Sequence, residues 1–273
     1  MTNRPAEPGR TARLPIVRSA MFGHAIADAM GVPVEFSTRS QRRCDPVTGY
    51  RGYGAHDVPA GTWSDDTSMA LATIDSLAHG LDTTDMMERF CDWKLHAAYT
   101  ATGVVFDMGI TTSKALSQFK KGVPALSCGL DGEFDNGNGS LMRIIPAVLF
   151  CKFATADLSP DEQLAIIHDV SSLTHRHPRS QMGCGIYALI LMELCDGRGI
   201  SGIQAAIDRA KQYYEATLAF SKELGSYARI LNCTSIMDFA RTPENEIRSG
   251  GYVVDTLEAA LWCVLNTDNY RDC

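Results

Sequence analysis

Long apolar runs are missing from this sequence. None of its 273 residues lies in a stretch near the ~20 that a membrane-spanning helix needs, so membrane insertion is not expected. Alternating β-branched stretches are scarce as well, and no Asn-Gly turn joins two of them, which argues against a sheet. A basic excess is also absent. With 25 Lys and Arg against 32 Asp and Glu, the formal net charge is -7, which excludes a general attraction to nucleic acid or to anionic membrane. The nine cysteines, an odd number, make no Cys-x-x-Cys pair and no Cys/His ligand spacing. Such usage argues against a disulfide scaffold and suits reduced thiols in a cytoplasmic protein. The first fifteen residues, MTNRPAEPGRTARLP, lack the apolar centre of a signal peptide. They are expected to form an unstructured leader ahead of a domain over 16–273.

Helical periodicity fills the rest. Val17, Met21, Ala25 and Ala29 recur four apart until Gly31-Val32-Pro33 interrupts them. Met69, Leu71, Ile74, Leu77 and Ala78 predict a second helix stopped at Gly80. Met86, Met87, Phe90, Trp93 and Leu95 predict a third, starting near Thr83. Ser159-Pro160-Asp161-Glu162 has the form of a capping box, with Leu164, Ile167 and Val170 as the buried stripe behind it. Residues 180–195 are apolar on most sides, as in a central helix. Further helical patterns cover 202–224 and 252–266, with Val253, Val254, Leu257, Ala260, Leu261 and Val264 expected in the core. The expectation is an all-α, single compact multi-helix domain whose longest loops are 32–65, 121–140 and 239–251.

Four segments hold residues suited to chemistry. Trp63-Ser64-Asp65-Asp66-Thr67 follows a Gly-rich loop at a helix start. Ser64 is a natural N-cap, and acids in a first turn favour the helix dipole. The same turn also offers four hard oxygen donors, which suit Mg²⁺, Mn²⁺ or Ca²⁺ and disfavour zinc. Both readings are open at this level. In the second segment, Asp28 interrupts a small-residue helix, and Glu35 stands between Val34 and Phe36. Burial there would raise the Glu35 pKa, as a general acid or base requires, whereas an exposed loop glutamate would be inert. In the third, Asn136-Gly137-Asn138-Gly139-Ser140 offers either an ordinary turn or a backbone cradle for a phosphate at a helix start. The fourth is Thr174-His175-Arg176-His177-Pro178, a pair of loop histidines between two helices.

Taken in order, these segments resemble the ADP-ribosylglycohydrolases. The likeness rests on the GxxxxDAxGxPxEF-like start around Asp28 and Glu35, the Ser64-Asp65-Asp66-Thr67 motif, Asn138-Gly139-Ser140-Leu141-Met142-Arg143, the Thr174-His175 loop, and Gly250-Gly251-Tyr252-Val253-Val254-Asp255-Thr256. It runs from about residue 16 to the end of the sequence, and five motifs in one order are far more specific than any one alone. The resemblance implies a helical fold with a binuclear Mg²⁺ or Mn²⁺ centre in a cleft that receives ADP-ribose. By position it makes Ser64, Asp65 and Asp66 metal ligands, with Glu35 and the two aspartates as the catalytic acids. It sets Asn138, Gly139 and Ser140 along the pyrophosphate and His175 near the adjoining ribose. The partner implied is ADP-ribose or an ADP-ribosylated protein, and the reaction is hydrolysis of the glycosidic bond to an acceptor, arginine first.

The second metal motif of the family, of GxDxDT type, does not occur among these 273 residues, and Asp268 and Asp272 have the wrong spacing for it. The sequence therefore predicts an incomplete metal centre in this chain, and apolar helix surface free for self-association. It also keeps a second function in view: an ADP-ribose-binding or structural relative with impaired catalysis.

Overall fold

The computed structural model describes residues 10–273, with side chains from residue 13. Among them lie twelve α-helices and six short 3-10 turns. No sheet forms among the described residues, where the extended pairings are two isolated bridges, Leu130 with His175 and Gly137 with Tyr252. None of the described helices is long and apolar enough to cross a membrane. The helices group into two compact units, Met1–Met108 and Gly109–Cys273.

The first unit holds α1 (Arg10–Gly31), α2 (Arg39–Cys44), α3 (Asp65–Leu77) and α4 (Thr83–His96). Because α1 starts at Arg10, the stretch 10–15 is helical, and residues 1–9 of the expected leader lie outside the described residues. Pro33 lacks the N–H a continuing helix needs, and the chain tightens into a 3-10 turn over Val32–Val34. The loop expected over 32–65 is broken by α2. That helix buries no residue, so apolar periodicity had nothing to report; its signal was the Thr38/Gln41 capping box. Helices α3 and α4 pack on each other, and Met69, Ala70, Ala72, Met86, Met87, Phe90 and Trp93 on them are buried. Gly80 turns the chain at φ 117°, and the Asp82 carboxylate caps α4 by accepting from the Thr84 and Asp85 amides.

The second unit holds α5 (Ile110–Lys120), α6 (Ile145–Phe153), α7 (Pro160–Ser172), α8 (Pro178–Cys195), α9 (Gly199–Ala216), α10 (Ala228–Leu231), α11 (Ile236–Ala240) and α12 (Val253–Asn266). The Ser159/Glu162 capping box starts α7 as the sequence predicts. Helix α8 is the hub, packing on α7, α9 and α12. All nine cysteines are free, and Cys151 and Cys184 sit in the core as small hydrophobes. On α12 the buried stripe is Val253, Val254, Leu257, Leu261 and Leu265. Ala260 and Val264, expected in the core, are exposed instead. They lie three residues from buried positions, on the flank of a stripe that repeats every four.

Close packing on α8 depends on two glycines. A Cβ on Gly183 would come within 2.6 Å of the Tyr227 hydroxyl, and one on Gly185 within 1.8 Å of the Tyr214 hydroxyl. Tyr214 is fully buried and its hydroxyl bonds His168 Nε2 at 2.9 Å, so it has no room to retreat. Gly185→Ala is therefore expected to cost about 1–3 kcal/mol by overpacking. Gly31→Ala, at a helical φ of -73° with nothing within 4 Å of the added carbon, should cost nothing measurable. Thermal denaturation of the two variants side by side tests this; equal melting points would refute it.

Candidate active site

The first unit gathers acids around the start of α3. Ser64 caps that helix, accepting from the Asp66 amide at 3.2 Å, while its own hydroxyl donates to Asp28 Oδ1 at 2.8 Å. Asp28, near the end of α1, also accepts from the Ser64 amide at 3.0 Å and the Thr67 amide at 3.0 Å. The carboxylate that interrupts α1 thus holds the first turn of α3. That turn in turn fixes Asp65 and Asp66.

The electrostatics of this turn are one-sided. Burial pushes the Asp65 carboxyl well up, and the charges of Asp66, Asp107, Asp28 and Glu35 push it further. Asp66 rises to about 8, from burial first and then from Asp28, Glu35 and Asp107. Every charge acting strongly on the pair is negative. The Thr67 hydroxyl, 2% exposed, has no hydrogen-bond partner among the described residues. Buried acids that repel one another beside an unpartnered hydroxyl are what a bound divalent cation would stabilise.

Glu35 ends the 3-10 turn after α1. Its carboxyl is half-buried and shifted upward, chiefly by burial and against the His56 hydrogen bond. The sequence placed the cause in Val34 and Phe36. Phe36 is instead 84% exposed, in the left-handed region at φ 61°, and the group against the carboxylate is His56. Asp107, also left-handed at φ 57°, has a carboxyl raised by burial. Glu35, His56 and Asp107 each offer one ligand atom, all within 4.8 Å of one another.

In the second unit the glycines of 136–140 pack on His175. A Cβ on Gly139 would lie 2.8 Å from His175 Cε1 and 3.1 Å from Thr112 Oγ1, so only glycine allows this approach. The strand-like pairing with the 250–252 segment sets the loop: the Asn138 amide donates to Gly251 O at 2.9 Å, and the Val253 amide to Asn136 O at 3.0 Å. Asn136 is buried, accepting from the Ser180 hydroxyl at 2.9 Å. His175 is not solvated. It is 2% exposed, bonded through Nδ1 to Thr174 Oγ1 at 2.9 Å, and burial lowers its pKa to about 3, so it is neutral at physiological pH. Arg143 lies fully buried behind it, donating to Thr174 Oγ1 at 2.8 Å and to Val170 O at 3.1 Å.

Two expectations for this loop change. The helix expected to open at Ser140 is a single 3-10 turn over Leu141–Arg143, and α6 begins at Ile145 with Pro146 in its first turn. The dipole of a longer helix is thus not aimed from Ser140. The Ser140 hydroxyl is fully buried, accepting from Ser171 Oγ at 3.0 Å and lying 3.5 Å from Cys184 Sγ.

Glu35, Ser64, Asp65 and Asp66 therefore share one unit, and Asn138, Gly139, Ser140 and His175 cluster in the other. The sequence reading missed His56 and Asp107. One is an isolated histidine in a Gly-rich loop, the other an acid in an apolar stretch, and neither has a periodic neighbour to mark it. It singled out Asp28 but not its role as the clamp on α3.

Comparison with known proteins places this arrangement in context. The ADP-ribosylglycohydrolase family profile matches residues 10–273. The chain is 32% identical over 257 residues to ADP-ribosylarginine hydrolase Tri1 of Serratia proteamaculans (strain 568), covering 93% of this chain and 63% of that protein. Over 265 residues it is 26% identical to the ADP-ribosyl-dinitrogen reductase glycohydrolase of Rhodospirillum rubrum, covering 93% and 75%. A solved structure described as an ADP-ribosylglycohydrolase-related protein complex superposes with a TM-score of 0.74 at 26% identity, covering 96% of this chain and 79% of that one. The chain thus spans a little under two thirds of the length of the Tri1 relative.

Proposed function

Because the chain belongs to the ADP-ribosylglycohydrolase family, we propose that it serves to remove ADP-ribose from a modified protein, with arginine as the linked residue and a divalent cation, Mg²⁺ or Mn²⁺, at the acid cluster. The observation that carries this reading is the convergence of Asp28, Glu35, Asp65, Asp66 and Asp107, whose mutual repulsion and burial hold the Asp65 and Asp66 carboxyls far above their ordinary range. The arginine linkage is taken from the printed name of the Tri1 relative. A cytoplasmic setting agrees with nine free thiols.

In this reading Asp65 and Asp66 hold the cation, with the remaining lone pair of Ser64 Oγ beside them. A bound divalent cation supplies charge neutralisation and orientation of ribose hydroxyls and water. The chain's own residues do the rest. Asp28 keeps the first turn of α3 rigid through three donors, which fixes both aspartates. Glu35, with its carboxyl shifted upward, can exchange a proton at Oε1 or Oε2 as a bond to the anomeric carbon breaks with oxocarbenium character. His175 stays neutral, so it contributes by hydrogen bonding and shape rather than by charge. Gly139 lets the 136–140 backbone pack directly on that ring, which fixes the loop assigned here to the diphosphate.

The test is release of ADP-ribose from an ADP-ribosyl-arginine peptide by the 273-residue chain. Release in Mn²⁺ or Mg²⁺ that stops on chelation is expected. Release unaffected by chelation would refute the cation role. Binding of ADP-ribose without release under any metal would favour the alternative of a catalytically impaired binding relative.

A further inference from the structure

The imidazole of His56 is set directly against the carboxylate of Glu35. Its Nε2 is hydrogen-bonded to Glu35 Oε2, and the same nitrogen lies 3.9 Å from Asp107 Oδ1. One nitrogen is therefore flanked by two carboxylates that come from separate segments of the unit. The three side chains are part-exposed, with 14% of His56, 30% of Glu35 and 31% of Asp107 reachable from solvent. An ion can reach them without opening the fold.

The surroundings fix the imidazole. Its ring stands edge-on to Phe36 at 5.8 Å between centroids and tilted on Phe106 at 5.0 Å. The loop that delivers it is seated on the turn after α1: the Ala55 amide donates to Pro33 O at 3.1 Å, and a Cβ on Gly54 would collide with Pro33 O at 1.9 Å. Tyr53 and Asp57, either side of that seat, take left-handed conformations at φ 57° and 51°. Asp107 is itself left-handed at φ 57°. With Phe36 at φ 61°, four such non-glycine positions surround His56, which is uncommon, and each must be held by its surroundings.

We propose that Glu35, His56 and Asp107 are a metal-ligating triad whose nitrogen ligand makes this chain prefer a first-row transition metal over Mg²⁺. The inference rests on the reading that a divalent cation binds at the acid cluster, and extends it to a ligand set and a preference. Metal bonds of about 2.0–2.2 Å to nitrogen and carboxylate oxygen place the donors of one ion within roughly 4.4 Å of each other. The triad's ligand atoms lie within 4.8 Å of one another, so closing by a few tenths of an ångström brings all three onto one ion. On binding, the Nε2 lone pair turns to the ion and Glu35 ligates through Oε2 as a carboxylate, any proton it carried leaving to solvent, so that Oε1 stays open to accept a proton during the reaction. The all-oxygen donors of the Ser64–Thr67 turn favour Mg²⁺, Ca²⁺ or Mn²⁺. Adding imidazole moves the preference toward Mn²⁺, Co²⁺ or Zn²⁺.

The experiment is pulsed electron paramagnetic resonance of the full 273-residue chain loaded with Mn²⁺, with competition by Mg²⁺ measured in parallel. Directly bound ¹⁴N should appear in the Mn²⁺ spectrum of the unaltered protein. It should vanish in His56→Ala and in His56→Gln, with the Mn²⁺-over-Mg²⁺ preference falling about ten-fold or more. It should persist in His24→Ala, whose imidazole lies buried near Asp66 and is the other nearby nitrogen source. Bound Mn²⁺ without nitrogen coupling, coupling that survives both His56 variants, or coupling lost in His24→Ala alone would overturn the triad while leaving the cation reading intact. No bound Mn²⁺ at all would overturn both.

Discussion

In the metal-free protein, stability falls as pH rises from about 7 to about 8. Asp66 drives this change. Its carboxyl is held at about 8 in the fold, against 3.8 for an ordinary aspartate. A raised acid contributes stability that is fully present below the unfolded value and is lost as pH climbs to the folded one, because the unfolded chain ionises first. Asp65 is shifted in the same direction by the same neighbours. The buried His168 and His175, lowered to about 4 and about 3, act with the opposite sign. Their stability is present above about 6.5 and is lost as pH falls below it. Burial lowers His24 in the same direction, and above about pH 7 the linkage of all three histidines is nearly complete, so the interval from 7 to 8 reports mainly the acid cluster. Asp66 alone accounts for about 1–2 kcal/mol there, or a fall of roughly 3–6 °C in melting temperature. Saturating Mn²⁺ should cancel the slope, since a cation at about 100 times its dissociation constant adds about 2.7 kcal/mol. Its effect should grow with pH as fewer protons compete. Melting curves at several pH values, with chelator and with Mn²⁺, check this. A flat metal-free profile between 7 and 8 would show that the two aspartates are not held protonated by the fold.

Asp66→Asn separates the cost of the cluster from its use. Removing one charge from a set of five neighbouring acids relieves repulsion, so the metal-free variant should melt higher than the unaltered protein at pH 8, on the order of 5 °C. It should also lose the Asp66 share of the pH slope just described, keeping only what Asp65 contributes. Mn²⁺ should no longer raise its melting temperature, and ADP-ribose release should drop at least about 100-fold. A purely structural aspartate would behave otherwise, since its loss would lower stability with and without metal. Destabilisation at pH 8 combined with an intact Mn²⁺ response would assign Asp66 to helix capping only.

Much of the fold was legible because helix signals are local. The capping box at Ser159, the cap at Ser64, the break at Pro33 and the stripe along α12 each depend on residues within a few positions of one another. Where the signal is weak locally, the reading slipped. Helix α2 has no buried face to create a period, and the turn after Ser140 is too short to distinguish from an α-helix start. Ala260 and Val264 are apolar, and only the partners of α12 decide which apolar flank is covered.

The candidate site divides in the same way. Ser64, Asp65, Asp66, Glu35 and the 138–140 segment stand in short motifs, so residue type and order alone nominated them. Their physical state was not written there. The elevation of Asp66, the neutrality of His175 and the clamp of Asp28 on α3 arise from burial and from charges brought together across tens of residues. His56 and Asp107, separated by 51 positions, became neighbours only through the seating of one loop on Pro33 and the left-handed turn at Asp107. The sequence by itself determined the helices, the breaks between them and the motif residues, because backbone propensity and amphipathic spacing act over one or two turns. Only the tertiary structure decided which carboxylates share a low-dielectric neighbourhood and which nitrogen faces them, because desolvation and Coulomb repulsion depend on distance in space, not along the chain.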